Sequence, residues 1–377
     1  MAERGTIGII GGGQLGRMLT LAALPLGFKV IVLNPSPGGP ASLVGAEEIV
    51  ADLYDEAAIK KLAKRADFLT VEIEHLNTHV LESLVAQGAS INPSPQTIAL
   101  IQDKLKQKEF LDKAGVPVAA FQPLTDISSA KRAHKAFGGK MLIKTRHGAY
   151  DGRGNMVIAK PSDIARAFKT FAGQQLYAEG FVQFRKELAV MAARSSRGNV
   201  SLYPIVETIH KRNICVEVLA PAPITPAEYR AATRVAKKVA SLLVGAGTYG
   251  IELFLTKGGK IIVNEIAPRV HNSGHYTMEA NRTSQFEQHI RAITGLPLGD
   301  TAMVVPAAVM INVLGERNGP TKVSGLDKAL EIPQVSIHIY GKSPTKIDRK
   351  MGHLTATGQT LLQARQRARA ARRSLTI

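Results

Sequence analysis

A predicted β-hairpin followed by a polar turn occupies residues 249–278, which read Tyr-Gly-Ile-Glu-Leu-Phe-Leu-Thr-Lys-Gly-Gly-Lys-Ile-Ile-Val-Asn-Glu-Ile-Ala-Pro-Arg-Val-His-Asn-Ser-Gly-His-Tyr-Thr-Met. Residues 250–255 are apolar and β-prone, residues 257–259 are a turn signal, and residues 260–263 form a second apolar run. Two such runs joined by a glycine-containing turn are typical of a hairpin. The residues from 269 to 275 are too polar for a core, so we expect the hairpin to lead into a functional site.

Each predicted strand carries a carboxylate, Glu252 on the first and Glu265 on the second, and Asn264 precedes Glu265. Like charges opposed across an antiparallel pair are unfavourable unless a cation lies between them. Two carboxylates and an amide oxygen suit Mg²⁺, which completes its shell with phosphate oxygens. A solvated hairpin is the alternative, but it does not account for the polar cluster that follows. We therefore predict a metal and phosphate site with a second substrate beside it.

These residues resemble two known families, one within the other. Glu252, Asn264-Glu265 and Ala267-Pro268-Arg269 resemble the metal-binding hairpin of the ATP-grasp superfamily. The continuation, residues 271–275 and 283–289, resembles the narrower 5-(carboxyamino)imidazole ribonucleotide synthetase family. The resemblance extends over about residues 6–355 and implies an ATP-grasp fold.

The domain organisation follows from length, from the alternation of predicted elements and from the resemblance. A chain of 377 residues predicts two to three domains, and strands that alternate with helices up to residue 98 predict a doubly wound parallel sheet. We expect an α/β fold, α+β in part: an N-terminal domain at 1–98, an ATP-grasp domain at 99–295, and a small C-terminal domain at 296–377 with a basic tail. A nucleotide subdomain is expected at about 117–180, and one helix at 96–114.

A glycine-rich turn follows the first predicted strand, where Gly11, Gly13 and Gly16 satisfy the pattern Gly-x-Gly-x-x-Gly. NAD binding would also require an acid at the end of the second strand, where the chain has Asn34. The helix N-terminus would suit a ribonucleotide phosphate, and a turn needed only for packing is the other alternative. Farther along, Glu72, Glu74 and His75 follow a predicted strand, and a zinc site there lacks a fourth ligand nearby in sequence.

The resemblance implies an ATP site spread over the second domain. Lys144 lies in an apolar strand, where a lysine is costly unless paired, so we interpret it as a phosphate ligand. The glycine-containing loop after it is expected to close over phosphates, and it departs from the family at His147 and Ala149, where arginine and glycine are usual. The implied ATP-binding residues are Lys104, Lys144, Ala149, Tyr150, Asp151, Gly152, Arg153, Gly154, Asn155, Glu179, Gly180, Phe181, Val182, Glu187, His210, Asn264 and Glu265.

The resemblance also implies a site for a ribonucleotide. Lys342 and Arg349, seven residues apart, are expected to bind its phosphate, although two solvated side chains would be the simplest interpretation without the resemblance. The implied substrate-binding residues are Gln14, Leu15, Tyr150, Asp151, Arg153, Arg269, His271, Asn272, Ser273, Lys342 and Arg349. The catalytic candidates are Arg269, which would hold bicarbonate or carboxyphosphate, and His271, His275 and Asp151, which would orient the substrate or move protons.

The reaction that the resemblance implies is the carboxylation of 5-aminoimidazole ribonucleotide in purine biosynthesis. ATP and bicarbonate are the other substrates, Mg²⁺ is held by Glu252 and Glu265, and the products are the carbamate, ADP and phosphate. A cytoplasmic homodimer that passes its product to the mutase of the pathway is expected. The alternatives are a formate-dependent glycinamide ribonucleotide transformylase or a biotin carboxylase, both within the superfamily, and an NAD-dependent oxidoreductase outside it.

The net charge of +18 fits phosphate-bearing ligands and also nucleic acid. Aromatic residues make up only 5% of the chain and tryptophan is absent, which argues against a nucleic-acid stacking surface. No apolar run approaches membrane-spanning length, and the single cysteine, Cys215, fits a reducing compartment. Five arginines crowd residues 365–373, and we expect deletion of residues 365–377 to leave catalysis nearly unchanged.

Overall fold

A computed structural model describes residues 4–148 and 154–377, which are built around three β-sheets. The first sheet has the order β3-β2-β1-β4, and its strands pair in parallel. This confirms the predicted doubly wound domain. Its elements are β1 (Thr6–Ile10), α1 (Gln14–Ala23), β2 (Lys29–Asn34), β3 (Glu47–Val50), α2 (Glu56–Ala63), β4 (Phe68–Val71) and α3 (Thr78–Ala86).

Two helices, α4 (Pro95–Gln102) and α5 (Lys104–Lys113), lead out of this domain. The expectation of one helix over residues 96–114 is wrong, because the chain breaks at Asp103. The Asp103 carboxylate accepts hydrogen bonds from the backbone N–H groups of Leu105 and Lys106, which caps α5. The same carboxylate pairs with Arg146 at the end of a strand in the second sheet. The break therefore starts α5 where Lys104 faces the predicted metal hairpin.

The second sheet is small and antiparallel, with the order β5-β8-β6-β7. Leu142 pairs with Glu179 and Lys144 pairs with Tyr177, so Lys144 and Glu179 are diagonal neighbours on one face. This sheet corresponds to the predicted nucleotide subdomain. Its elements are β5 (Phe121–Leu124), α6 (Ile127–Ala136), β6 (Met141–Thr145), β7 (Asn155–Ile158), α7 (Asp163–Thr170) and β8 (Leu176–Gly180).

The third sheet has nine strands and the order β14-β13-β9-β11-β12-β15-β17-β16, with β10 paired to β9. It crosses the boundary proposed at residue 295, because β12 pairs with β15 over residues 217–220 and 308–311. The C-terminal segment therefore extends the sheet of the preceding domain and does not form a sheet of its own. The strands are β9 (Phe184–Arg194), β10 (Val200–Leu202), β11 (Val206–Lys211), β12 (Ile214–Ala220), β13 (Gly247–Thr256), β14 (Ile261–Ala267), β15 (Ala307–Leu314), β16 (Val335–Ile339) and β17 (Lys350–Gly358).

Helices cover parts of this large sheet. The longest is α8, with 17 residues, which buries Ala236 and Val239 in the same core cluster as Leu253 and Val263 of the hairpin. In the part of the chain that the structure describes, no helix has the length and apolar character needed to cross a membrane. The helices are α8 (Pro226–Leu242), α9 (Thr277–Ala280), α10 (Gln285–Ile293), α11 (Leu326–Leu330) and α12 (Leu361–Ser374).

The basic C-terminus, for which a terminal helix or a tail was expected, forms a helix that is part of the fold. Helix α12 buries Ala364, Ala368 and Ala371 in a core cluster with β15 and β17. On its polar side, Arg365 and Arg369 both pair with Glu217 of β12. The sequence analysis considered the arginines but did not predict the buried face of the helix, which consists of alanines that repeat every three or four residues. Deletion of residues 365–377 is therefore expected to disrupt the C-terminal segment.

A charge placed on the buried face of α12 tests this packing. Ala368 is fully buried, so Ala368→Asp should lower the free energy of unfolding by about 3 kcal/mol or more, because a carboxylate would be buried without a partner. Thermal unfolding followed by circular dichroism measures the loss. Leu362→Asp on the same helix is the control, since Leu362 is 67% exposed. Equal melting temperatures for the two variants would contradict the packing described here.

Candidate functional site

The predicted hairpin is formed by β13 and β14, and its two carboxylates lie opposite each other. Glu252 pairs in register with Glu265, and a bulge follows between Glu252 and Leu253. Burial, with the neighbouring Glu265 carboxylate, raises the pKa of Glu252 to about 7. The Asn264 side-chain amide donates to Glu252 at 3.1 Å. Opposed carboxylates with an amide beside them are a donor set that fits Mg²⁺, and the repulsion between them is the kind that a cation relieves.

Lys104 supplies the cation that balances this pair in the free protein. Its Nζ atom lies 2.6 Å from a carboxylate oxygen of Glu265. Burial opposes ionisation of Glu265, but Lys104 more than compensates and lowers the pKa of Glu265 below its usual value. The two opposed carboxylates therefore differ: Glu265 is held ionised, and Glu252 titrates near neutrality. The structure brings together Lys104, Glu252, Asn264 and Glu265 as predicted.

Lys144 is paired, but with a carboxylate that sequence analysis assigned to the nucleotide. Its Nζ atom lies 3.1 Å from Glu179, whose other oxygen lies 3.3 Å from Lys108. All three side chains are buried. Although burial opposes ionisation, the two lysines lower the pKa of Glu179 to about 2. The carboxylate of Glu179 is thus engaged by two lysines. A nucleotide base at this segment would therefore contact backbone groups and not the Glu179 side chain.

The segment after Glu179 links the small sheet to the large one. Gly180 ends β8 and its N–H donates to the carbonyl of Ala120 at 2.8 Å, while Phe181 stacks under the ammonium of Lys140 at 3.7 Å. Val182 lies in the connection to β9, as expected of a linker between subdomains. Asn155 begins β7, the strand after the predicted phosphate loop, and Gly154 precedes it in a turn with a positive φ. The loop residues Ala149, Tyr150, Asp151, Gly152 and Arg153 lie outside the described residues.

Glu187 and His210 lie on neighbouring strands and form a pair. The Nδ1 atom of His210 is 2.9 Å from a carboxylate oxygen of Glu187. Burial disfavours the imidazolium, but Glu187 outweighs it and raises the pKa of His210 above its usual value. The sequence could not show that β11 would pair with β9, which is what brings the two predicted nucleotide-binding residues together.

Arg269 contacts a residue of the first domain. Its Nε and Nη2 atoms donate to the two carboxylate oxygens of Glu74 at 2.6 and 3.1 Å. Burial opposes ionisation of Glu74, yet the guanidinium lowers its pKa to about 2. A bidentate arginine–carboxylate pair is a specific and directional contact. It brings the end of β4 next to the hairpin, so the site lies where the first and second domains meet.

His271 lies directly over the hairpin. Its Nε2 atom is 3.6 Å from Glu252, and its Nδ1 atom is 2.9 Å from the hydroxyl of Ser273. A side chain at Gly250 would clash here, since its Cβ atom would come within 2.6 Å of the Cβ of His271. Burial, together with Arg269, lowers the pKa of His271 to about 3. The imidazole is therefore neutral at physiological pH and can accept one hydrogen bond and donate another.

The other polar residues of this turn make hydrogen bonds within the protein that hold the turn in place. Asn272 and Asn312 exchange hydrogen bonds between their amides, at 2.9 and 2.6 Å. Ser273 is buried against His271, and His275 is fully buried, with its Nδ1 atom 3.1 Å from the amide of Gln285. The side chain of His275 has no exposed surface, so any effect of His275 on the substrate would pass through its neighbours. The amide of Asn272 and the hydroxyl of Ser273 have internal partners, and their role as substrate ligands stays a prediction.

A second internal carboxylate fills the glycine-rich turn. The Glu72 carboxylate accepts hydrogen bonds from the backbone N–H groups of Gly13 and Leu15, the latter at 3.1 Å. The N-terminus of α1 therefore faces the protein's own carboxyl group, and together with Asn34 at the end of β2 this argues against the NAD alternative. Leu15 has its N–H engaged and its side chain buried. Gln14, the first residue of α1, remains at the edge of the turn.

Lys342 and Arg349 belong to one loop between β16 and β17. The Nζ atom of Lys342 donates to the carbonyl of Lys350 at 3.0 Å, and Arg349 donates to the carbonyl of Pro344 at 2.8 Å. The charge of Lys342 also acts on Glu72, which places this loop beside the glycine-rich turn. The seven-residue spacing noted in the sequence thus corresponds to two cations at the ends of a folded loop.

Two residues of this site escaped sequence analysis. Lys108 was not recognised, although it follows Lys104 by four residues and so shares its helix face. Glu74 was noticed only as an acid at a strand end, because its contact with Arg269 spans 195 residues of sequence. Lys108 could have been found from the four-residue spacing of a helix. Nothing in the sequence indicates the contact between Glu74 and Arg269.

Comparison with known families matches three consecutive parts of the chain. Residues 4–102 match the ribonucleotide synthetase preATP-grasp domain, and residues 109–286 match the ATP-grasp domain. Residues 308–367 match the phosphoribosylaminoimidazole carboxylase C-terminal domain. This order confirms the expected ATP-grasp fold with an N-terminal parallel-sheet domain and a C-terminal extension.

Individual relatives differ in length. The phosphoribosylaminoimidazole carboxylase of Ogataea methanolica is 45% identical over 372 residues, covering 96% of this chain and 68% of that protein. The chain spans only 64% to 68% of the length of several such fungal and plant relatives. The N5-carboxyaminoimidazole ribonucleotide synthase of Synechococcus elongatus is 38% identical, covering 93% of this chain and 88% of that protein.

Solved structures match over almost the full length. The N5-carboxyaminoimidazole ribonucleotide synthetase of Thermotoga maritima is 44% identical with a TM-score of 0.89 and covers 99% of both chains. The N5-carboxyaminoimidazole synthase of Aspergillus clavatus, solved with ADP and 5-aminoimidazole ribonucleotide, is 35% identical with a TM-score of 0.91 and covers 98% of both chains. The chain belongs to the N5-carboxyaminoimidazole ribonucleotide synthase family of ATP-grasp ligases.

Proposed function

We propose that the protein carboxylates the exocyclic amine of 5-aminoimidazole ribonucleotide, using ATP and bicarbonate and releasing ADP and phosphate. The observation that carries this proposal is the hairpin that opposes Glu252 and Glu265 beside Lys104, with Arg269 and His271 on the same edge. Bicarbonate is a poor electrophile, and transfer of a phosphoryl group to it gives carboxyphosphate, which the weakly basic amine can attack. Phosphoryl transfer to bicarbonate and attack by the amine would thus both take place beside this hairpin.

Binding of ATP is proposed to depend on positive charges that neutralise its phosphates. Lys104 lies on a helix and Lys144 on the small sheet, and among the described residues each pairs with one carboxylate, which a phosphate oxygen could replace. Glu187 would accept hydrogen bonds from the ribose hydroxyls, and the backbone of residues 179–182 would contact the adenine. Mg²⁺, held by Glu252 and Glu265, would neutralise charge that develops on the transferred phosphoryl group. The loop at 148–154 would cover the phosphates and exclude water from carboxyphosphate.

The acceptor side is proposed to lie between Arg269 and the first domain. Glu74 occupies two donors of Arg269 and fixes the plane of its guanidinium, whose remaining N–H groups can bind bicarbonate or carboxyphosphate. His271 is neutral and close to Glu252, so it can accept a hydrogen bond from the amine and orient it. Lys342 and Arg349 would bind the ribonucleotide phosphate beside the glycine-rich turn, and Asp151, Tyr150 and Arg153 remain proposed ligands from the family resemblance.

The assembly and its place in the cell are also proposals. We propose a homodimer in the cytoplasm, whose product passes to the mutase of the pathway. The side chains of Leu21, Leu24 and Leu43 in the first domain are exposed, and a second copy would cover them. Light scattering on a sizing column measures the mass directly. A mass of one chain at micromolar concentration would refute the dimer.

An ADP-release assay tests the reaction. The protein should release ADP rapidly only when ATP, bicarbonate and 5-aminoimidazole ribonucleotide are all present, since carboxyphosphate is consumed by the amine. Formate with glycinamide ribonucleotide, or biotin in place of the aminoimidazole ribonucleotide, should not replace the proposed acceptor. ADP release that follows either of these acceptors and ignores the aminoimidazole ribonucleotide would overturn the proposal.

Removal of one hairpin carboxylate tests the metal site. Glu265→Gln keeps the shape of the side chain but removes the charge opposite Glu252, so ADP release should fall by about a hundredfold or more while the melting temperature stays similar. Glu109→Gln on the exposed side of α5 is the matched control and should retain activity. Wild-type turnover by Glu265→Gln at saturating Mg²⁺ would show that the hairpin does not hold the metal.

Arg349 tests how the ribonucleotide phosphate is recognised. Arg349→Ala should raise KM for the aminoimidazole ribonucleotide by one to two decades, from the loss of roughly 1.5–3 kcal/mol in a charged hydrogen bond. KM for ATP should stay almost constant, because the guanidinium of Arg349 donates to the carbonyl of Pro344 in its own loop and not to the carboxylates that hold Lys104 and Lys144. Lys346→Ala, an exposed residue of the same loop, is the control. Equal changes in both KM values would assign Arg349 to the nucleotide site or to the fold.

A further inference from the structure

Lys108 is a buried lysine to which the reaction proposed above gives no task. It lies on α5, one turn after Lys104, and only 2% of its surface is exposed. A lysine is rarely buried unless its charge is paired, because the ammonium loses its hydration. Its position in the fold, between the hairpin and the small sheet, therefore requires an explanation.

The contacts of Lys108 join three elements. Its Nζ atom donates to the carbonyl of Val263 on β14 at 3.2 Å and lies 3.3 Å from an oxygen of Glu179 on β8. The other oxygen of Glu179 lies 3.1 Å from Lys144. Each oxygen of one buried carboxylate thus faces a different lysine, and the hydroxyl of Tyr177 donates to the oxygen on the Lys108 side at 3.4 Å.

The charges of this triad do not cancel: two ammonium groups face one carboxylate. If Lys144 turns toward an ATP phosphate, Lys108 remains beside Glu179 and the carboxylate stays paired. If Lys108 were absent, the same movement would leave a carboxylate buried without a cation, which is strongly unfavourable. Lys144 would then stay on Glu179, or the carboxylate would take up a proton.

We propose that Lys108 is a positioning residue that keeps Glu179 paired, so that Lys144 is released to bind the phosphates of ATP. This rests on the proposed function in one respect, the assignment of Lys144 to ATP. Lys108 itself is too deeply buried to reach the nucleotide, and its contacts are turned toward Val263 and Glu179. It therefore acts through Lys144.

The partner of Lys104 shows why only Glu179 needs such a residue. Lys104 pairs with Glu265, which belongs to the proposed metal pair, so a cation is available to Glu265 once Lys104 turns to a phosphate. Glu179 lies outside that pair, and among the described residues its cations are Lys108 and Lys144. When Lys104 turns to a phosphate, the metal would neutralise Glu265; when Lys144 turns to a phosphate, Lys108 would neutralise Glu179.

The variant Lys108→Met tests the proposal, since methionine has a similar shape and no charge. The dissociation constant of ATP, measured by calorimetry, should rise about tenfold or more, because the release of Lys144 is now opposed. KM for ATP should rise in parallel, and KM for the aminoimidazole ribonucleotide should not change. Lys106→Met, an exposed residue of the same helix, is the control and should bind ATP normally.

A second substitution separates positioning from folding. Glu179→Gln removes the charge that Lys108 is proposed to balance, so Lys108→Met/Glu179→Gln should bind ATP as tightly as Glu179→Gln alone and more tightly than Lys108→Met. Should Lys108→Met fail to fold, the comparison of Glu179→Gln with the double variant still decides, because neither variant has a carboxylate at position 179 that could hold Lys144.

Two results would overturn the proposal. One is an unchanged ATP dissociation constant in folded Lys108→Met, and the other is a loss of ATP affinity in the double variant beyond that of Glu179→Gln. Both are binding measurements on ATP alone, so they do not depend on the acceptor. A failure of the wild-type protein to use the aminoimidazole ribonucleotide would refute the proposed function and leave this test intact.

Discussion

The site depends on two carboxylates, Glu252 and Glu265, that the hairpin register holds directly opposite each other. Such a pair is unfavourable unless a cation lies nearby. In the free protein that cation is Lys104, and the helix break at Asp103 places it there. Asp103 also pairs with Arg146 at the end of β6, and Lys104 pairs with Glu265 on the hairpin. The start of α5 therefore contacts both the small sheet and the hairpin. The geometry of the nucleotide site thus follows from one electrostatic requirement.

The same requirement recurs throughout the site. Glu74 pairs with Arg269, Glu179 with Lys108 and Lys144, and Glu187 with His210. We therefore propose that ATP binding is an exchange of partners, in which phosphate oxygens take the place of carboxylates and the carboxylates pair with other cations. This explains how a strongly basic protein keeps its phosphate-binding lysines ordered before ATP arrives. It also explains why carboxylates of several elements point into the site, since Lys104 pairs with Glu265 on β14 while Lys108 and Lys144 share Glu179 on β8.

Local pattern was enough to predict the hairpin, the parallel sheet of the first domain and the carboxylate pair, because these depend on strand periodicity and turn residues. Features that depend on distant contacts were not predictable. The large sheet continues into the C-terminal segment through β12 and β15, nearly ninety residues apart. Glu72 fills the glycine-rich turn from 57 residues away. The burial of one face of α12 was not predicted, because the arginines drew attention away from the repeating alanines.

The resemblance to a known family supplied residues that no pattern singles out, such as His210 and Arg349. It did not reveal Lys108, nor the burial of His275, because neither follows from a motif. The exchange of partners is tested most directly by a crystal structure with Mg²⁺ and a non-hydrolysable ATP analogue. The account predicts that Lys104 and Lys144 move beyond about 4 Å from Glu265 and Glu179 and contact phosphate oxygens, while Lys108 stays paired with Glu179. Persistence of the 2.6 Å Lys104–Glu265 and 3.1 Å Lys144–Glu179 contacts with the nucleotide bound would contradict it.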